Sequence, residues 1–196
     1  MNKKVTVHNS RRVFDAFFKI DEAEVSFERF DGRMSPRVKR LCFERGDSVA
    51  AVIYNRDTQK ALFANQFKYP TYAKGPGWIM ETVAGILEPG ETPESATRRE
   101  VLEELGYEVE KLEPIASFYV SPGGSSERIH LFYAEISNAG KRSEGGGLQS
   151  EGEDIETVQL SMKELEHLMS GGQVQDAKTI IAIQWLQRKL DRGAGR

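Results

Sequence analysis

Apolar and polar positions change their spacing several times along this chain, and each change marks an element. Between 23 and 45, Val25, Phe27 and Phe30 precede Asp31-Gly32 while Val38, Leu41 and Phe43 follow it, a pattern that predicts a hairpin. Ser48–Asn55 and residues 61–67 are strongly apolar runs around Arg56-Asp57 and predict a second strand pair. Residues 78–83 predict a strand that leads into a glycine turn at Gly85. Residues 114–120 and Arg128–Ile136 predict two more, the last alternating Ile129, Leu131 and Tyr133 against His130 and Phe132. Helical signals occupy the gaps. Thr92 is placed to N-cap a helix over about 93–105, with Pro93 at its first turn, Gly106 at its left-handed end, and Ala96, Leu102 and Leu105 turned to the core. Ser161 and Glu164 have capping-box spacing for a helix near 162–169, and Asp176 caps a last helix carrying Ile180, Ile181, Trp185 and Leu186. The segment 138–153, with Gly145-Gly146-Gly147, reads as a mobile loop, and the tail after Leu190 reads as frayed.

Strands around a central helix with another helix at the end predict an α/β (α+β) fold. The expected division is an N-terminal β element over 1–45, a main domain over 46–192 and a frayed tail over 193–196. A chain of 196 residues can bury one substantial core. A formal net charge of -3 with scattered Lys and Arg offers no broad basic face, so no nucleic-acid partner is expected. The single Cys42, in the predicted strand Val38–Glu44, excludes an internal disulfide framework and reads as a packed thiol. His8, His130 and His167 are dispersed without zinc-ligand spacing. No signal-peptide pattern opens the chain and no apolar run is long enough to span a bilayer, so a cytoplasmic location with no membrane partner is expected.

The chemistry concentrates on the helix at 93–105. Glu100, Glu103 and Glu104 are three and four residues apart and project from one side. Carboxylates so close repel one another, and a hard cation such as Mg²⁺, or Mn²⁺ in its place, relieves the repulsion through oxygen ligands. Arg99, four residues before Glu103, is placed to hold a carboxylate. A solvated acidic helix is the plain alternative, and the glycine, the arginine and the second carboxylate pair together speak against it. A second patch, Tyr119-Val120-Ser121-Pro122-Gly123-Gly124-Ser125-Ser126-Glu127, is a loop that permits close backbone approach to a ligand at Gly123, Gly124 and Ser125, with Glu127 at its end as a candidate general base. An ordinary surface turn is the competing reading.

The spacing Gly85, five residues, Glu91, seven residues, Arg99-Glu100-Val101-Leu102-Glu103-Glu104-Leu105-Gly106-Tyr107 resembles the Nudix box at every fixed position. The resemblance implies an α/β/α sandwich and hydrolysis of a diphosphate. Pro122, sixteen residues beyond Gly106, resembles the marker of the ADP-ribose pyrophosphatase branch and implies a nucleoside-diphosphate sugar as substrate. Within that branch, Asn65-Gln66-Phe67-Lys68 resembles a stretch whose basic residue contacts the diphosphate, with Lys68 here in place of Arg. Met80-Glu81-Thr82-Val83-Ala84-Gly85 resembles one in which a glutamate, here Glu81, contacts substrate and an alanine carbonyl, here Ala84, ligates metal. The glycine-rich loop with Glu151-Gly152-Glu153, followed by Asp176-Ala177-Lys178-Thr179, is similar to GDP-mannose hydrolases, and the likeness covers about residues 12 to 190.

From the likeness, Glu100, Glu104, Ala84 and Glu151 are expected at the metal, with Glu153 as the alternative loop carboxylate, and Glu127, Glu103 and Arg99 in catalysis. Phe17 or Phe18 either stacks on a base across a homodimer or packs as a core aromatic. A nucleoside-triphosphate or oxidised-nucleotide hydrolase and a non-catalytic nucleotide-sugar sensor are the competing functions. The complete box argues against the sensor and Pro122 against the hydrolase.

Overall fold

The computed structural model describes residues 3–194. Its strands are β1 (Val5–Asp15), β2 (Lys19–Phe27), β3 (Val38–Glu44), β4 (Ser48–Asn55), β5 (Lys60–Phe67), β6 (Trp78–Glu81), β7 (Val83–Ile86), β8 (Leu112–Tyr119), β9 (Arg128–Ile136) and β10 (Glu156–Leu160). The helices are α1 (Tyr69–Tyr72), α2 (Pro93–Leu105), α3 (Met162–Ser170) and α4 (Ala177–Ala194). These residues form two compact units, one reaching to 47 and taking in 119–128, the other made of 48–118 and 129 onward. The sequence predicts a contiguous break at 45; in the structure Phe43 N–H donates to Gly124 O at 2.8 Å and Ser126 N–H to Phe43 O at 3.2 Å, which ties the later segment to the first unit.

In the second unit a sheet of order β10-β5-β4-β9-β8 carries β6 on β5 and β7 on β4. Its central strands are apolar on both sides, and the two-residue period of a strand sorts them into two cores. Ala50, Val52, Ala61, Phe63, Ile129, Leu131 and Tyr133 pack with Leu165 of α3 and Ala182, Ile183 and Leu186 of α4. Ala51, Ile53, Leu62, Phe132, Ala134 and Ile136 pack with Val101 and Leu105 of α2. This is the expected α/β/α sandwich. Strand β4 runs antiparallel to β5 and parallel to β9, a crossover that local sequence does not announce.

Helix α2 begins and ends where its caps predict. Thr92 Oγ1 accepts from Ser95 N–H at 3.1 Å, Pro93 fills the first position, and Gly106 has φ 76°. Leu102, expected in the core, is exposed, and Val101 takes that place because the buried positions recur at 96/97, 100/101 and 104/105. The strand predicted over 78–83 breaks at Thr82, since β6 follows β5 while β7 follows β4. Strand β10, without a sequence signal of its own, pairs along β5. The predicted tail also differs, because α4 continues to Ala194, while residues 195–196 lie outside the described residues.

The loop expected to be mobile is instead fastened to the end of α2. The last carbonyls of a helix lack partners within it. Here Gly146 N–H donates to Glu104 O at 2.9 Å, Gly147 N–H to Glu103 O at 3.0 Å, and Arg142 N–H to Gly106 O at 2.7 Å. Gly145, Gly146 and Gly147 all have positive φ, which lets three successive residues curl around the helix end.

In the first unit, β1, β2 and β3 form a three-stranded sheet in that order. The hairpin around Asp31-Gly32 is present as β2 and β3, but β1 has no apolar alternation to reveal it. Cross-strand charge supports it instead, Arg11 against Glu22 at 3.0 Å and Arg12 against Asp21 at 2.9 Å in register. Cys42 is a half-buried free thiol on β3.

Gly106 combines a left-handed backbone with a site where a Cβ would collide with the Ser143 carbonyl. Gly106→Ala is therefore expected to destabilise the protein by about 1–3 kcal/mol, read from denaturant unfolding. A change within error would remove the role given to this cap.

Candidate active site

Box residues are organised by Arg99. Its Nε and Nη2 donate to the two carboxylate oxygens of Glu91, each at 3.0 Å, and its Nη1 reaches Glu100 Oε1 at 2.8 Å and Glu103 Oε2 at 3.2 Å. Nη2 also donates to Ile86 O at 3.2 Å, closing the connection between β7 and α2. The hydrogen bond to Glu91 is the main reason that the Arg99 guanidinium is held above, and the Glu91 carboxyl below, its ordinary pKa. Arg99 thus positions carboxylates.

Glu100 and Glu104 lie on the buried side of α2, at 9% and 1% exposure, where a charge costs most. Burial pushes the Glu100 carboxyl up to about 7 against the pull of Arg99, with Glu103 and Glu153 adding repulsion. Burial also drives Glu104 well above the carboxylate range, reinforced by Glu100, Glu81 and Glu153. Gly85 explains how Glu100 fits. It is not a turn residue, as the sequence suggests, but sits within β7 opposite Val49, with no positive φ. A Cβ there would collide with the Glu100 carboxylate, so glycine is required for close approach.

Two loop glutamates were candidates. Glu153 bears on Glu100 and Glu104 electrostatically and accepts from Leu148 N–H at 3.0 Å, whereas Glu151 ends a 3₁₀ turn and is exposed. Of the two, Glu153 is the one whose charge bears on the helix pair.

Glu81 is buried on β6 with Gln66 Nε2 donating to it at 3.3 Å and Lys68 Nζ 3.4 Å away. Lys178, on the first turn of α4, also binds Glu81, and reaches Asp176 at 3.0 Å. Burial works against the Lys178 charge, yet Glu81 and Asp176 outweigh it and hold the ammonium above its ordinary pKa. In the sequence Lys178 stands only inside the stretch Asp176-Ala177-Lys178-Thr179, and an Asp capping a helix two residues before a Lys is the available signal.

In the first unit, Glu127 is buried and paired with Arg45 at 3.5 Å. The loop beside it is held by β3, with Ser125 Oγ donating to Phe43 O at 3.2 Å, and Gly123 and Gly124 have open space where a Cβ would stand. Phe18 packs edge-on against Phe43 at 5.1 Å between ring centres and lies under Arg45, while Phe17 is exposed.

The profile of the NUDIX domain matches residues 44–182. The chain belongs to the NUDIX domain family. Among its relatives, a GDP-mannose pyrophosphatase of Citrobacter koseri is 34% identical over 188 residues, covering 95% of this chain and 96% of that protein. A GDP-mannose pyrophosphatase of Cronobacter sakazakii is 34% identical over 189 residues, covering 95% and 97%. A crystal structure of an ADP compounds hydrolase superposes with a TM-score of 0.73 at 20% identity, covering 98% of this chain and 97% of that one, and so shares the Nudix fold.

A divalent cation fits the helix carboxylates of this Nudix chain. Glu104 Oε2 is buried with no hydrogen-bond partner among the described residues, Glu100 lies against the β7 backbone at Gly85, and oxygen ligands are what a hard cation takes. Among the described residues no group of three or more His, Cys, Asp or Glu is placed to hold a metal ion, so a cation here would rest on the helix pair together with a backbone oxygen such as the Ala84 carbonyl. Without a cation, the folded chain holds protons on Glu100 between the ordinary value of 4.5 and about 7 that the unfolded chain has released, so stability falls as pH rises through that window. The melting temperature of chelated protein is expected to drop from about pH 5 to about pH 7.5, and Mg²⁺ to raise it more at the higher pH. A Mg²⁺ increment independent of pH would contradict a cation at Glu100 and Glu104.

Proposed function

We infer that this Nudix chain is a Mg²⁺-dependent pyrophosphatase of nucleoside-diphosphate sugars. It cleaves the P–O–P link to a nucleoside monophosphate and a sugar phosphate, with GDP-mannose favoured over ADP-ribose. The observation that carries the chemistry is the buried pair Glu100 and Glu104, whose unpartnered oxygen and raised proton affinity call for a cation. Similarity along 95% of the chain to proteins named GDP-mannose pyrophosphatase supports the substrate class.

Glu100, Glu104 and the Ala84 carbonyl would hold the metal, Glu153 would face it from the loop, and Arg99 would fix Glu100 and Glu103. When bound, the cation supplies charge neutralisation at the diphosphate and acidification of water. Lys68 and Lys178, gathered on Glu81, offer positive charge to the diphosphate oxygens. Glu127 is the proposed base that takes the proton of the attacking water, and the in-line attack at phosphorus expels the other phosphate.

A panel of nucleoside-diphosphate sugars with Mg²⁺, its products resolved by chromatography, tests this reading. GDP-mannose is expected to give GMP and mannose 1-phosphate, and Glu104→Gln to lower turnover by roughly 10²-fold or more with the fold retained. Release of inorganic pyrophosphate from nucleoside triphosphates as the main activity would replace the reading. Glu127→Gln is expected to lower kcat by roughly 10²–10⁴ with little change in KM. A rise in KM alone would make Glu127 a binding residue.

A homodimer belongs to the same proposal, formed through the first unit. Val5, Val7, Phe14, Phe17, Phe30 and Leu41 are exposed there, Phe30 completely, a density of apolar surface that fits a second copy. Light scattering is expected to give twice the 22.1 kDa chain mass, and a monomer at micromolar concentration would exclude the dimer.

A further inference from the structure

The break at Thr82 places a demand on the fold that the second unit meets in an unusual way. Strand β6 ends at Glu81, paired with Ala64 of β5, and β7 begins at Val83, paired with Ala51 of β4. Strands β4 and β5 pair with each other only at Ile53–Leu62, Tyr54–Ala61 and Asn55–Lys60, and the chain crosses from one to the other at a residue in neither ladder. Thr82 is fully buried, and an unpaired N–H there would cost about as much as a lost hydrogen bond. Its partner comes from 97 residues away: Thr82 N–H donates to Thr179 Oγ1 at 2.8 Å.

Thr179 is itself fully buried and fixed. Its hydroxyl donates to Asp176 Oδ2 at 2.5 Å and its N–H to the same oxygen at 2.9 Å, the N-cap arrangement of α4. The other oxygen, Asp176 Oδ1, holds Lys178 Nζ at 3.0 Å, and Lys178 holds Glu81. One carboxylate therefore grips both sides of the same step, the crossover backbone through Thr179 and the Glu81 side chain through Lys178. Two and three residues past Thr82 stand Ala84 and Gly85, and the Glu100 carboxylate packs against Gly85.

We propose that Asp176 is a positioning residue of the active site: through Thr179 and Lys178 it fixes the crossover at Thr82 and the Glu81 carboxylate, and so sets where the β7 backbone at Gly85 meets Glu100. Helix α4 then does more than cover the sheet. The inference rests on the pyrophosphatase reading for its kinetic consequence but not for its geometry.

The test uses the full chain with Thr179→Val, which removes the hydroxyl at nearly constant volume, Thr179→Ser, which restores it, and Asp176→Asn, which keeps an oxygen for Thr179 and discharges the grip on Lys178. Amide hydrogen exchange over 78–86 is expected to quicken roughly tenfold in Thr179→Val and to be protected again in Thr179→Ser, with residues 93–105 unchanged. For Thr179→Val and Asp176→Asn, folded at the assay temperature, kcat for GDP-mannose is expected to fall roughly tenfold to a hundredfold and Mg²⁺ affinity by calorimetry to weaken, with Thr179→Ser near wild type. Wild-type kcat and Mg²⁺ affinity in folded Thr179→Val and Asp176→Asn overturn the proposal, as does exchange that rises equally everywhere, which marks lost global stability. If the wild-type chain hydrolyses no nucleoside-diphosphate sugar, the functional reading fails, and the local exchange and the Mg²⁺ affinities still decide the positioning.

Discussion

Two carboxylates on the inward side of one helix constrain the rest of the second unit. Placing Glu100 and Glu104 where water is excluded raises the free energy of their charged forms, and Glu100 makes the ionisation of Glu104 harder still. Hydrophobic residues at those positions would give a more stable helix-sheet contact. The surrounding residues read as responses to that strain. Arg99 supplies a nearby positive charge and is itself held by Glu91. Gly85 gives up its side chain so that a carboxylate can lie against the strand. Loop residues 142–147 satisfy the carbonyls at the helix end, so the last turn, which carries Glu103 and Glu104, is held from both sides.

Positive charge is brought in from separate parts of the chain. Lys68 lies just beyond β5 and Lys178 on the first turn of α4, and Glu81 of β6 collects both. In the proposed reaction an anionic diphosphate would compete with Glu81 for these two cations. The same meeting point connects α4 to the crossover at Thr82, so the packing of the terminal helix and the electrostatics of the site are coupled through Asp176.

The first unit is stabilised differently. Its sheet is held by cross-strand ion pairs and by the return of residues 119–128 onto β3, while much of its apolar surface remains exposed. That segment includes Pro122 and Glu127, so the loop singled out in sequence is a structural part of this small unit. Phe17 is exposed and stands edge-on to Phe18, which packs against Phe43.

Sequence alone determined what depends on local chemistry. The caps at Thr92, Gly106, Ser161 and Asp176 act within a few residues of themselves, and the two-residue period of β4 and β9 follows from strand geometry, so the limits of α2, the starts of α3 and α4 and the layered class were legible. The box was legible because its spacing is fixed by one helix and the strand before it. Tertiary structure decided whatever depends on partners far along the chain. Strand β1 is hidden because charge across the ladder, not alternation, supports it, and the strand over 78–83 divides because its two halves follow different neighbours. Glycines that in isolation signal freedom became the means of fastening a loop to a helix end. Val101 rather than Leu102 in the core, the charge of Glu153 bearing on the helix pair, and the arrival of Lys178 at Glu81 were all set by which side chains the folded backbone brings within reach, and composition and spacing do not encode those distances.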